Sequence, residues 1–161
     1  MKFKVPFVFA LLLAMVGLVA ASPAQASDAQ LRKVIKQQEA KVKPVLEKFE
    51  KAGDDLETPE DFEKVTAAAG EVRDALKAYR KALAPISGST ADGKKAKTKL
   101  RSALKQIDLA YAELERFFEK AGDGASKSEL EASEKTFERK AEKAEKLEDE
   151  AMKLLGIESD D

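Results

Sequence analysis

The chain has 161 residues, with 29 Lys and Arg against 30 Asp and Glu, and it contains no cysteine, histidine or tryptophan. Such a balance gives no global attraction to nucleic acid, and without cysteine there is neither a disulfide framework nor a lipidated-cysteine anchor. Missing imidazole and thiol groups remove the common nucleophile–base pairs, the Glu-x-x-His di-iron set and most haem ligands.

Lys2 and Lys4 precede an uncharged run over 5–21, at the lower edge of what spans a bilayer. Ser22-Pro23 breaks that run, and Ala24-Gln25-Ala26 before Ser27 has the small-x-small pattern of a cleavage site. The expectation is a signal peptide over 1–26, cut between Ala26 and Ser27, and an exported protein, periplasmic or extracellular. Only an uncleaved leader would touch a membrane. What remains, 27–161, is one domain's length with 27 basic and 30 acidic residues.

Four segments with helical periodicity follow. The first, 28–52, has a broad apolar stripe of Leu31, Val34, Ile35, Val42, Val45, Leu46 and Phe49, interrupted at Gln38. Pro44 in its interior removes one backbone bond at a cost of about 3 kcal/mol, which predicts a kink near Ala40. The second, 59–84, opens with Thr58 as cap, Pro59 in the first turn and Asp61 closing a capping box. Phe62, Val65, Ala69, Val72, Leu76, Tyr79, Leu83 and Ile86 then step by three and four without a miss, a heptad seam.

The third segment, 91–121, repeats the rule through Leu100, Leu104, Ile107, Tyr111, Leu114, Phe118 and Ala121, with Leu109 on the other side. The fourth, 127–155, opens on Ser126 with Glu129 in a capping box. Its seam of Leu130, Phe137, Ala144, Leu147, Ala151 and Leu154 is interrupted by Ser133 and Lys140, so it is expected to pack least firmly.

The hexamer Phe-Glu-Lys-Ala-Gly-Asp occurs at 49–54 and again at 118–123, and aligning 31–54 with 100–123 gives ten identities in 24 positions. Each copy reads as a helix stop, with glycine expected in the left-handed conformation. Self-similarity at one offset reads as a duplicated helical hairpin whose second arms have drifted. Short breaks between long helices turn each back on the last. The fold expected is therefore all-α, an up-down-up-down antiparallel four-helix bundle.

The sharpest polar feature is the set Lys94, Lys95, Lys97, Lys99, Arg101 and Lys105 at the start of the third segment, where cations oppose the helix dipole and one another. One reading is an anion-binding site for an envelope polymer, lipid headgroup or phosphorylated ligand. The other is pairing with the acidic end of the fourth segment, Glu148, Asp149 and Glu150, then Glu158, Asp160 and Asp161. Tyr79 and Tyr111 fall on seams, where a buried hydroxyl needs a partner such as backbone or Gln38. The acidic loop at 53–61 lacks the alternating spacing of a calcium loop.

The residues therefore imply no catalytic, cofactor-binding or metal site and no enzyme. They point to an exported bundle acting by surface contact, as adaptor, scaffold or binding module for an unknown envelope component or protein, monomeric or homodimeric. The alternative is a carrier that sequesters an apolar or anionic small molecule, in a cavity left by the kinked first segment, Gln38 in its stripe and the irregular seam of the fourth.

Overall fold

The structure, a computed structural model, describes residues 28–54 and 56–157. The leader, the Ala26–Ser27 cleavage point and the acids Glu158, Asp160 and Asp161 lie outside the described residues. Among those described there are four helices and no strand: α1 Ala29–Gly53, α2 Pro59–Leu83, α3 Ala91–Gly122 and α4 Lys127–Leu155. This is an all-helical fold consistent with a four-helix bundle. None of these helices is long and apolar enough to cross a membrane.

Local chemistry sets the helix ends. Thr58 Oγ1 accepts from the Asp61 N–H at 3.3 Å while the Asp61 carboxylate accepts from the Thr58 N–H at 3.0 Å, closing the capping box ahead of α2. At α4 the Glu129 carboxylate accepts from the Ser126 N–H and hydroxyl, at 3.0 and 2.7 Å. The hexamer glycines behave differently from expectation. Gly53 and Gly122 are the last helical residues of α1 and α3, and neither is left-handed; Gly124 and Gly156 are. What Gly122 supplies is room, since a Cβ there would sit 3.3 Å from Phe62 Cβ. Gly156 ends α4 in the left-handed conformation.

A main core joins the four helices, and a smaller cluster of Ala110, Phe137 and Ala141 lies between α3 and α4, with Leu114 packed against both. From α2 the main core takes Val65, Ala69, Val72, Leu76, Tyr79 and Leu83; from α3 it takes Leu100, Leu104, Ile107, Tyr111 and Phe118. Helix α1 adds Leu31, Ile35, Val42, Leu46 and Phe49, the last edge-on to Tyr111 with ring centroids 5.2 Å apart. Helix α1 continues through Pro44, which is exposed.

The expectation for α4 is corrected: among the described residues α3 and α4 form the most extensive helix pair. The buried face of α4 keeps Phe137, Ala144 and Ala151 of the expected seam but not its leucines. It runs through Ser133, Phe137, Ala141, Ala144, Glu148, Ala151, Met152 and Leu155, while Leu147 and Leu154 are half-buried beside it. Alanines at 141, 144 and 151 let the two backbones approach closely, which compensates for the few large side chains.

Polar contacts link successive helices. Lys48 of α1 pairs with Glu71 of α2 at 2.5 Å, Arg73 of α2 with Asp108 of α3 at 3.0 Å and also with Glu115, and Lys140 of α4 with Glu113 of α3 at 2.5 Å. The start of α1 meets the start of α3. Asp28 accepts from the Ser89 N–H at 2.7 Å and the Thr90 hydroxyl at 2.5 Å, and Arg32 donates to the Leu155 carbonyl at the end of α4.

Candidate functional site: a basic cavity beside the start of α3

The cation-rich start of α3 divides between two faces. Lys94, Lys97, Arg101 and Lys105 line an open surface cavity of about 490 Å³, joined across from α2 by Arg80. Lys99 points elsewhere and is paired with Glu150 of α4, and Lys95 is exposed away from the cavity. Pairing with the acidic end of α4 thus accounts for one cation of the six. Of the acids assigned to that role, Glu150 takes it, whereas Glu148 is turned into the core.

The remaining lining is Ser87, Gly88, Thr98 and Ser102, so among the described residues five cations and three hydroxyls share the cavity with no carboxylate. Thr98 donates its hydroxyl proton to the Lys94 carbonyl at 3.0 Å, which leaves Ser87 and Ser102 as hydroxyl donors. Lys97 Nζ donates to the Ala84 carbonyl at 2.8 Å, fixing its ammonium at the rim next to the end of α2. Arg80 Nη1 lies 3.8 Å from Asp108, and its Nε is buried with no hydrogen-bond partner.

Backbone geometry holds this arrangement. Thr90 caps α3 by accepting from the Gly93 N–H at 2.9 Å, and its hydroxyl donates to Asp28. A Cβ at Gly93 would come within 2.3 Å of the Asp28 carboxylate oxygens and would push that carboxylate off Ser89 and Thr90. Burial works against ionisation of Asp28, but the hydrogen bonds from Thr90 and Ser89 hold it below the usual carboxylate range. An anion thus already sits at the positive end of the α3 dipole. The attraction of the cavity comes from its side chains. Along α3 those side chains repel: the pairs Lys94–Lys97, Lys97–Arg101 and Arg101–Lys105 together cost about 1 kcal/mol of helix stability.

No known protein family, curated protein or solved structure matches this chain.

A second polar group lies in the interior and was not anticipated. Tyr79 of α2 is 0% exposed and Glu148 of α4 3%, and Tyr79 Oη, Glu148 Oε2 and Glu39 Oε1 of α1 are all buried without a hydrogen-bond partner. Neither Gln38 nor backbone meets the Tyr79 hydroxyl, contrary to expectation. Burial pushes Glu39 up to about 7 against the pull of Lys36. Burial, and then the neighbouring charges of Asp149, Glu39 and Glu145, lift Glu148 well above the carboxylate range. Tyr79 is raised by burial and by both glutamates.

A signal for Glu148 was present in the sequence. Phe137, Ala141, Ala144, Glu148, Ala151 and Leu155 step by 4, 3, 4, 3, 4, a regular seam with an acid at one position. Preferring leucines over alanines hid it. Asp61, in the acidic loop considered for calcium, is committed to Thr58. Among the described residues no three Asp or Glu side chains converge as metal ligands would.

Proposed function

We propose that this protein is an exported, non-enzymatic helical-bundle binding protein that acts by surface contact, with the cavity of Arg80, Lys94, Lys97, Arg101 and Lys105 as its anion-binding site. The observation that carries this reading is charge imbalance in a concave site. Arg73 and Lys140 on neighbouring faces meet carboxylates, whereas among the described residues the cavity lining contains none, and of its cations only Arg80 reaches an acid, Asp108 at 3.8 Å. Five cations held close together at a cost to helix stability are more simply explained by a ligand than by folding. The guanidinium of Arg101 and the ammonium groups beside it suit phosphate or carboxylate groups of an envelope component.

The proposal includes removal of residues 1–26 as a signal peptide, export to the periplasm or medium, and an antiparallel up-down-up-down bundle derived from a duplicated hairpin. The ion pairs Lys48–Glu71, Arg73–Asp108 and Lys99–Glu150 support that helix order. Amide chemical shifts recorded while inorganic phosphate is added test the site. Changes confined to Ser87–Lys105 are expected, and a titration that leaves this stretch unmoved sinks it.

A carrier of small molecules is the second reading, favoured by the unpartnered oxygens of Glu39, Tyr79 and Glu148 between α1, α2 and α4. Native mass spectrometry of protein purified from its own host separates the two. Retained extra mass that survives neutralisation of the cavity belongs to the interior.

A further inference from the structure

Resting on the reading of the cavity as an anion site, we propose that its occupant is a linear phosphate polymer without bases, laid along α3 from Lys94 to Lys105. The four α3 cations are separated by steps of three, four and four residues. At 3.6 residues per turn these steps keep them on one face and spread them over about 16 Å of helix axis. A free phosphate occupies one point and leaves most of such a row idle. A chain with a charge on every repeat meets a fresh cation at each helical turn.

Both ends of the track are closed by acids already engaged with the protein. Asp28 is bonded to Ser89 and Thr90 beside Gly93 at the upper end, and Asp108 is held by Arg73 at the lower. The contact therefore takes a short stretch of about four charges, at one cation per helical turn. Arg80 closes the cavity from α2 and makes it a trough. Forked guanidinium groups from two helices grip a phosphate bidentately, which ammonium groups alone do not.

Nucleic acid fits this track poorly. Single-strand binders stack bases on exposed aromatic rings, but Phe49, Tyr79, Tyr111, Phe117, Phe118 and Phe137 are all buried, and the half-buried Phe62 packs against the core. Leu109 is the one exposed large apolar side chain among the described residues, at 37%. A single leucine is far less apolar surface than an interfacial helix inserts into a bilayer.

The test is calorimetric titration of the protein with long-chain inorganic polyphosphate, orthophosphate, poly(U) and phosphatidylglycerol vesicles over a range of salt. Polyphosphate is expected to bind at least a hundredfold more tightly than orthophosphate. Its log K should fall against log salt with a slope of about −3, the value for release of about four counterions from a single-stranded chain. The pair of substitutions Arg101→Gln and Lys105→Gln should weaken binding at least tenfold and halve that slope, with circular dichroism confirming the fold. Lys95→Gln and Lys99→Gln, off the track, should leave it unchanged.

Equal affinity for orthophosphate and polyphosphate overturns the polymer while leaving the anion site in place. Tighter binding of poly(U) or of vesicles than of polyphosphate also overturns it, in favour of bases or a membrane surface. Binding of none of the four removes the polymer and the anion site together.

Discussion

Two regions of the molecule carry charge without its opposite, and they differ in where water is. In the trough, none of the four α3 cations, Lys94, Lys97, Arg101 and Lys105, is paired with a carboxylate among the described residues. Between α1, α2 and α4, Glu39 and Glu148 act on Tyr79, and among the described residues no cation is bonded to either. The α2–α3 face shows the ordinary solution, in which Arg73 and Arg80 both reach Asp108. Glu39 and Asp108 occupy matching positions in the 24-residue self-alignment, yet only Asp108 has arginines beside it. Solvated cations screened by water cost tenths of a kcal/mol each and stay charged. Buried carboxylates cannot, so they hold their protons. The first arrangement keeps charge available for a ligand; the second makes stability depend on pH.

The strongest way to break that contrast is at Glu148. Glu148→Met replaces a buried, unpaired carboxyl with an apolar chain of similar length, and is expected to stabilise by about 1–3 kcal/mol at pH 8. Urea unfolding at pH 8 and pH 5 should show the larger gain at pH 8. Destabilisation at both would mean that Glu148 has an unseen partner.

The pH profile of the unmodified protein comes next. Glu39 is raised from an ordinary 4.5 to about 7 in the folded state, so between those values the folded chain binds more protons than the unfolded one. Stability is therefore present at about pH 4.5 and is lost as pH rises through 7, by about 1 kcal/mol once solvent screening at a half-buried side chain is allowed for. Groups shifted the other way, such as Asp28 and Glu113, bring stability that is lost as pH falls below the carboxylate range. Thermal melts should thus peak near pH 5, and a maximum above pH 7 would contradict the buried acids.

Tyr79→Phe removes a hydroxyl that has no partner, and a rise in stability of about 1 kcal/mol is expected. A fall instead would place a water or ligand on that hydroxyl. The smallest effect belongs to the trough. Arg101→Gln relieves repulsion from Lys97 and Lys105 and should add a few tenths of a kcal/mol, read as a slight increase in melting temperature alongside weaker anion binding. Loss of stability there would mean that Arg101 serves the fold.

Much of this was written in the chain. The regular seam from Val65 to Leu83 marked α2, and Thr58, Pro59 and Asp61 marked its start, because a heptad stripe and a capping box are local signals. The cluster from Lys94 to Lys105 stood out for the same reason: cations in the first turns of a helix break a local rule. Residue types and their spacing along one helix determine such features by themselves.

Tertiary structure decided which neighbours those features meet. It sent Lys99 to Glu150 and left Lys94, Lys97, Arg101 and Lys105 around a cavity completed by Arg80, a residue of another helix. It turned Glu148 inward, although its place at the head of the acidic run Glu148-Asp149-Glu150 suggested a solvated acid, and it used Gly122 for close approach to Phe62. A charge has the same formula in water and in a core. Its protonation and its partners follow from the dielectric and the side chains that folding brings to it, often from more than fifty residues away along the chain, as for Lys99 and Glu150.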